Sequence, residues 1–104
     1  TDWKDEVQRL QKTMWDCASV VRSRASLDIA YDAICAALQE TAKPNDRSAY
    51  ETWNLHQVSL ALVACARARE ESRGGHFRAD FPQHDDRRFR KHSRFTKSGD
   101  VWFR

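Results

Sequence analysis

"SLALVACARAREESRGGHFRADFP", residues 59–82, decides how the chain reads. Its first eight residues are small or apolar, with no Gly, Pro or charge before Arg67, and they read as the buried part of a long helix. The composition then changes within a few residues. Arg69, Arg73 and Arg78, two glycines, His76, Phe77, Phe81 and Pro82 follow in quick succession. Gly74 or Gly75 reads as the left-handed cap ending the helix, and Pro82 stiffens the exit. Arg73 and Arg78 can each clamp a carboxylate or a carbonyl in fixed geometry, and Asp80 can pair with either.

Two more helices lie upstream. Trp3, Val7, Leu10, Met14, Cys17 and Val21 recur at steps of four and three, which makes one face of a helix from about Asp2 to Arg22. Leu27, Tyr31, Ile34 and Leu38 repeat the pattern, ending near Lys43-Pro44-Asn45. The third helix is expected to start near Ser48, with Ser48 and Glu51 as a capping box. Leu55, Val58, Leu62 and Cys65 form its expected buried face. The run from Ser59 to Ala68 is apolar on more than one side, so this helix should meet two neighbours. The expected fold is all-α: a three-helix up-down-up bundle, spectrin-repeat-like, over residues 1–75. Met14, Cys17, Leu27, Tyr31, Ile34, Leu38, Leu55, Val58 and Leu62 should be largely buried in it.

After Gly75 the periodicity is lost. Phe77, Phe81, Phe89, Phe95, Trp102 and Phe103 are scattered among charges, and residues 76–104 read as an extended basic, aromatic tail packing on the bundle. The charge is uneven. Residues 1–75 carry 10 Lys/Arg and 11 Asp/Glu, a net of −1, whereas residues 76–104 carry 8 and 4, a net of +4.

A length of 104 residues suits one domain, and 40% hydrophobic with 32% charged residues fits a folded, soluble chain. No apolar run approaches the roughly 18 residues of a membrane span. The first residue is Thr1, and we expect an excised piece of a longer protein. Cys17, Cys35 and Cys65 are odd in number and widely spaced, which points away from a disulfide framework and towards a reducing cytoplasm.

The residues offer little chemistry. His56, His76, His84 and His92 match no usual metal-ligand spacing, even with the cysteines. The cysteines lie in apolar helical stretches, where a structural role is the default. There is no G-x-S-x-G, P-loop or G-x-G-x-x-G. "DDRRFRKHSRFTK", residues 85–97, interleaves cations with aromatics as a nucleic-acid contact would need. Asp80, Asp85, Asp86 and Asp100 dilute that field, so the stretch reads as a solvated or docked tail and nucleic acid is not an expected partner. No catalytic, cofactor-binding or metal residue is assigned. Ser72, Arg73, His76, Arg78 and Asp80 are the candidate docking residues.

"ARAREESRGGHFRADFP", residues 66–82, resembles the C-terminal helical domain of the flavoproteins that include L-aspartate oxidase and the flavin subunits of succinate dehydrogenase and fumarate reductase. The family pattern is R-x-E-S-R-G-x-H-x-R-x-D-[FY]-P. Arg69, Glu71, Ser72, Arg73, Gly74, His76, Arg78, Asp80, Phe81 and Pro82 fit it. "LQKTMWDCASVVRS" and "WNLHQVSLALVACA" are similar to the first and third helices of that domain. Met14-Trp15 and Asn54-Leu55-x-x-Val58 are closer to L-aspartate oxidase. "LQKTM" and "HDDRRFRKH" are also similar to the succinate dehydrogenase type, so that alternative stays open, as does a stand-alone binding module using the basic tail. The resemblance implies a parent that binds FAD, holds a dicarboxylate outside this chain and oxidises L-aspartate to iminoaspartate for NAD biosynthesis. This chain would be its non-catalytic C-terminal domain, seated on the flavin-binding domain.

Overall fold

The computed structural model describes residues 3–40 and 44–104. Along these run α1 (Trp3–Cys17), β1 (Val21–Arg22), α2 (Arg24–Glu40), α3 (Arg47–Ala68), β2 (Phe77–Arg78), α4 (Asp86–Phe89), β3 (Ser93–Phe95) and β4 (Val101–Phe103). The fold is mainly helical, and α1, α2 and α3 each touch the other two. Among the described residues no helix is long and apolar enough to cross a membrane. The Asp2 start expected for the first helix and the Lys43 side of the expected turn lie outside the described residues.

The helix ends correct the sequence reading. α1 stops at Cys17 instead of running to Arg22. The Arg22 Nε donates to the Ala18 and Ser19 carbonyls at 3.2 and 3.0 Å, closing the helix end with a side chain. Val21 and Arg22 then pair in parallel with Phe77 and Arg78 of β2. Ser23 and Ser26 bond each other's backbone N–H groups at the start of α2. α3 is capped by Asp46, whose carboxylate accepts from the Ala49 N–H at 2.8 Å. Ser48 lies inside the first turn, and Glu51 pairs with Arg47 rather than completing a capping box.

Nor do the glycines cap α3. The helix ends at Ala68, and Arg69 is extended with φ −83° and ψ 94°. Gly74, at φ +58°, lies in a tight turn where the Arg73 and His76 backbones exchange bonds of 2.8 and 2.9 Å. A side chain there would be strained, which is why this turn needs glycine.

The core joins Leu10, Ala18, Leu27, Ala30, Ile34, Val63 and Ala66, with Met14, Cys17, Tyr31, Leu38 and Leu60 packed against it. Leu27 and Ile34 are buried as the sequence predicts, and Met14, Cys17, Tyr31 and Leu38 are half-buried. The third-helix expectation fails. Leu55, Val58 and Leu62 are 48%, 66% and 45% exposed. α3 instead turns in Ala49, Thr52, His56, Val63, Ala64 and Ala66. Val63 and Ala66, with Leu60 beside them, are what α3 contributes to the core shared with α1 and α2. The His56 Nδ1–H donates to the Thr52 carbonyl at 2.8 Å, which makes its burial affordable.

Residues 76–104 contain regular structure that their sequence does not announce. β3 and β4 form an antiparallel hairpin, with Arg94 opposite Trp102. Phe89 of α4 is 2% exposed and meets Phe103 edge to face, with centroids 4.8 Å apart. Phe77 and Trp102 remain 40% and 44% exposed, so the aromatics do not all anchor the segment.

Leu27→Ala is therefore expected to cost about 2–5 kcal/mol. Leu62→Ala should cost under about 1 kcal/mol, since half its surface is already in water. Urea denaturation of the two variants checks this, and equal losses would contradict the burial described.

Candidate functional site

The polar groups of residues 69–86 converge where α2 begins and α3 ends. Arg78 is fully buried although charged. Its Nη1 donates to the carbonyls of Ala66 and Arg67 in the last turn of α3 at 3.3 and 2.9 Å, and to that of the cap residue Arg69 at 3.3 Å. Its Nε and Nη2 reach the two Asp80 oxygens at 2.9 and 2.7 Å, a bidentate pair. Asp80 in turn accepts from the Arg24 N–H at 3.0 Å, at the first residue of α2. The cation thus sits at a helix C-terminus and the anion at a helix N-terminus, each where the peptide dipoles favour it.

A second cluster centres on Glu71, whose side chain is completely covered. It accepts from Arg69 at 2.6 Å, from Arg73 at 3.0 to 3.2 Å and from the Asp85 N–H at 2.8 Å. Arg73 also pairs with Asp86. Arg69 reaches onward to the carbonyls of Phe89 and Lys91 and to the Ser93 hydroxyl. One buried carboxylate and two arginines thereby tie the end of α3 to α4 and β3.

Ser72 and His76 complete the turn. The Ser72 hydroxyl accepts from the Arg78 N–H at 2.9 Å and donates to the Phe81 carbonyl at 2.7 Å. The His76 Nε2 lies 3.1 Å from the Arg69 carbonyl, which can only accept. The proton is therefore on Nε2, and Nδ1 accepts from Arg22 at 3.1 Å. The five candidate docking residues all come together here, each bonded within the chain. Arg22, Arg69, Glu71 and Asp86 belong to the same assembly but were not among those candidates. Alternation of Arg and Glu at positions 69, 71 and 73 was the available signal for two of them.

The electrostatics follow from these partners. Burial pushes the Glu71 carboxyl up, but the bonds from Arg73, the Asp85 N–H and Arg69 outweigh it and hold it at about 2. Arg78 likewise holds Asp80 at about 2, against a smaller opposing effect of burial. Burial lowers His76, and the Arg22, Arg78 and Arg69 charges add to that while the Arg69 carbonyl opposes it, so it stays neutral near pH 7. The Arg73 bond lowers Asp86. Burial raises the Cys65 thiol, which disfavours the thiolate a nucleophile would need. Among the described residues no group of three His, Cys, Asp or Glu side chains could hold a metal ion.

Both depressed carboxylates stabilise the fold above the ordinary carboxylate range, and this stabilisation is lost as pH falls through it towards about 2. Glu71→Gln and Asp80→Asn should each flatten the loss of stability between roughly pH 4.5 and 2, measured by urea denaturation across that range. An unchanged pH profile in both would show that these carboxylates are not clamped as described.

Comparison with known proteins places the chain in a family. The succinate dehydrogenase flavoprotein subunit of Rickettsia bellii is 34% identical over 96 residues, covering 82% of this chain and 16% of its own. The L-aspartate oxidase of Streptomyces coelicolor is 38% identical over 93 residues, 80% of this chain and 16% of its own. The fumarate reductase flavoprotein subunit of Mycobacterium tuberculosis is 34% identical over 107 residues, covering 91% and 18%. The chain thus spans about a sixth of the length of these relatives. A solved FrdA chain of E. coli quinol fumarate reductase, carrying a point mutation, superposes with a TM-score of 0.75. That match covers all of this chain and 20% of the solved one at 19% identity, so it speaks for the fold. Residues 7–102 match the family described as fumarate reductase flavoprotein C-term, and the chain belongs to that family.

Proposed function

We propose that the chain is the non-catalytic C-terminal domain of an FAD-dependent L-aspartate oxidase, a cytoplasmic enzyme converting L-aspartate to iminoaspartate for NAD biosynthesis. The observation that carries the non-catalytic role is the engagement of the motif from Arg69 to Pro82. Its charged groups hold helix ends and each other, as a scaffold requires. In the parent, FAD accepts the hydride and the dicarboxylate is held outside this chain. Met14-Trp15 and Asn54-Leu55-x-x-Val58 favour the oxidase, and the 38% identity to the Streptomyces coelicolor L-aspartate oxidase is consistent with it. "LQKTM", "HDDRRFRKH" and the two flavoprotein subunits support a second reading, a succinate dehydrogenase or fumarate reductase subunit.

The partner in this reading is the flavin-binding domain of the same parent. Ser72, Arg73, His76, Arg78 and Asp80 shape the turn that seats on it, with Arg73 and Phe77 on the turn's accessible side. Leu55, Val58 and Leu62 add an exposed apolar stripe at helical spacing on α3. Such a stripe is costly in water and suits coverage by the rest of a chain about six times longer.

The full-length parent should be yellow and should generate hydrogen peroxide from L-aspartate in air, whereas the isolated chain should be colourless. Rapid succinate oxidation without aspartate turnover would move the assignment to the dehydrogenase. Arg73→Ala in the parent should lower stability or flavin retention and leave substrate choice unchanged. A changed substrate preference would show that the turn reaches the active site.

A further inference from the structure

Beside the Arg73–His76 turn the surface opens into a bowl of about 530 Å³. Five of its lining residues carry positive charge (Arg69, Arg73, Arg90, Lys91, Arg104), and none is acidic. Other hollows differ: one between α1 and α2 includes Glu6 and Glu40, and another includes Asp80, Asp85 and Asp86. The ion pairs near the bowl join Arg69 and Arg73 to Glu71, Arg73 to Asp86 and Arg88 to Glu70. Among the described residues, no ion pair engages Arg90, Lys91 or Arg104. The charge of Arg90 also acts on Asp86, from beyond ion-pair distance.

The backbone carrying these three cations is fixed. His92 and Arg104 exchange backbone bonds of 3.0 and 2.9 Å, which set Arg104 beside Lys91. Arg69 holds the Lys91 and Phe89 carbonyls. Arg69 and Arg73 are balanced by Glu71 and Asp86, whereas Arg90, Lys91 and Arg104 share no ion pair among the described residues and repel one another, and an anion placed among them relieves that repulsion. A concave wall on a fixed backbone suits a compact ligand better than a polymer, because little ordering is needed on binding.

We propose that this bowl binds a small oligoanion bearing phosphate or carboxylate oxygens, with Arg90, Lys91 and Arg104 contacting it and Arg69 and Arg73, held by Glu71 and Asp86, forming its floor. The proposal does not rest on the flavoenzyme reading, since binding rather than turnover tests it.

Titration calorimetry of the full-length protein at low ionic strength, with pyrophosphate and with citrate, separates the two sources of oxyanion. At least one should bind saturably, one per chain. Arg90→Ala combined with Lys91→Ala should weaken that binding by roughly tenfold or more, and added salt should weaken it further. Arg9→Ala combined with Arg47→Ala removes as much charge far from the bowl and should leave the affinity unchanged. Arg90 and Lys91 are exposed, so thermal unfolding of the first pair should match the unmodified protein. Three results would overturn the proposal: no binding of either anion, equal losses in the two double variants, or a single-stranded oligonucleotide binding more tightly than both anions.

Discussion

The buried Arg78 guanidinium is the constraint on which the rest of the structure depends. It meets both problems left by ending one helix and starting another in the same place. The last carbonyls of α3 need donors, and the first N–H groups of α2 need acceptors. Arg78 supplies donors to Ala66, Arg67 and Arg69, and Asp80 supplies the acceptor to Arg24. The pair between them neutralises the charge that its own burial would otherwise make prohibitive. Arg78 is also the β2 partner of Arg22, so the same residue fixes how the end of α1 is received.

Glu71 extends this arrangement outward. Its carboxylate is enclosed by Arg69, Arg73 and the Asp85 backbone, which sets where α4 begins. Arg69 lies 5.9 and 5.0 Å from the ring centres of Phe89 and Phe103, so the aromatic contact of the last segment is stacked on the same network. Residues 69–104 are therefore organised around charged groups more than around an apolar core. Burying so many charges is tolerable because, among the described residues, no buried side-chain nitrogen or oxygen lacks a partner.

Three helices and most of the α1 and α2 faces were legible in the sequence, because the period of apolar residues survives single exceptions. The third-helix face was not. α3 carries apolar residues on several sides, and the pattern of Leu55, Val58 and Leu62 is as regular as the one that is buried. Choosing between them requires knowing which side of α3 meets α1 and α2. The helix ends were misjudged for a related reason. Gly74 and Gly75 are a plausible cap only while the distant Arg78 side chain is left out, and Asp46 outdoes Ser48 by standing three residues before the Ala49 N–H. The docking candidates were recognisable as a group, but their mutual bonding was not, since residues 22, 24, 78 and 80 meet only after folding.

A double-mutant cycle on Arg78 and Asp80 tests the central claim most directly. Arg78→Met keeps the volume of the side chain while removing its charge and donors, and Asp80→Asn removes the charge of its partner. Denaturation of both single variants and the double variant should give a coupling of about 1–3 kcal/mol, because the two residues act as one bridge between helix ends. Strict additivity, with Arg78→Met tolerated at little cost, would contradict the claim that this pair holds α2 and α3 together.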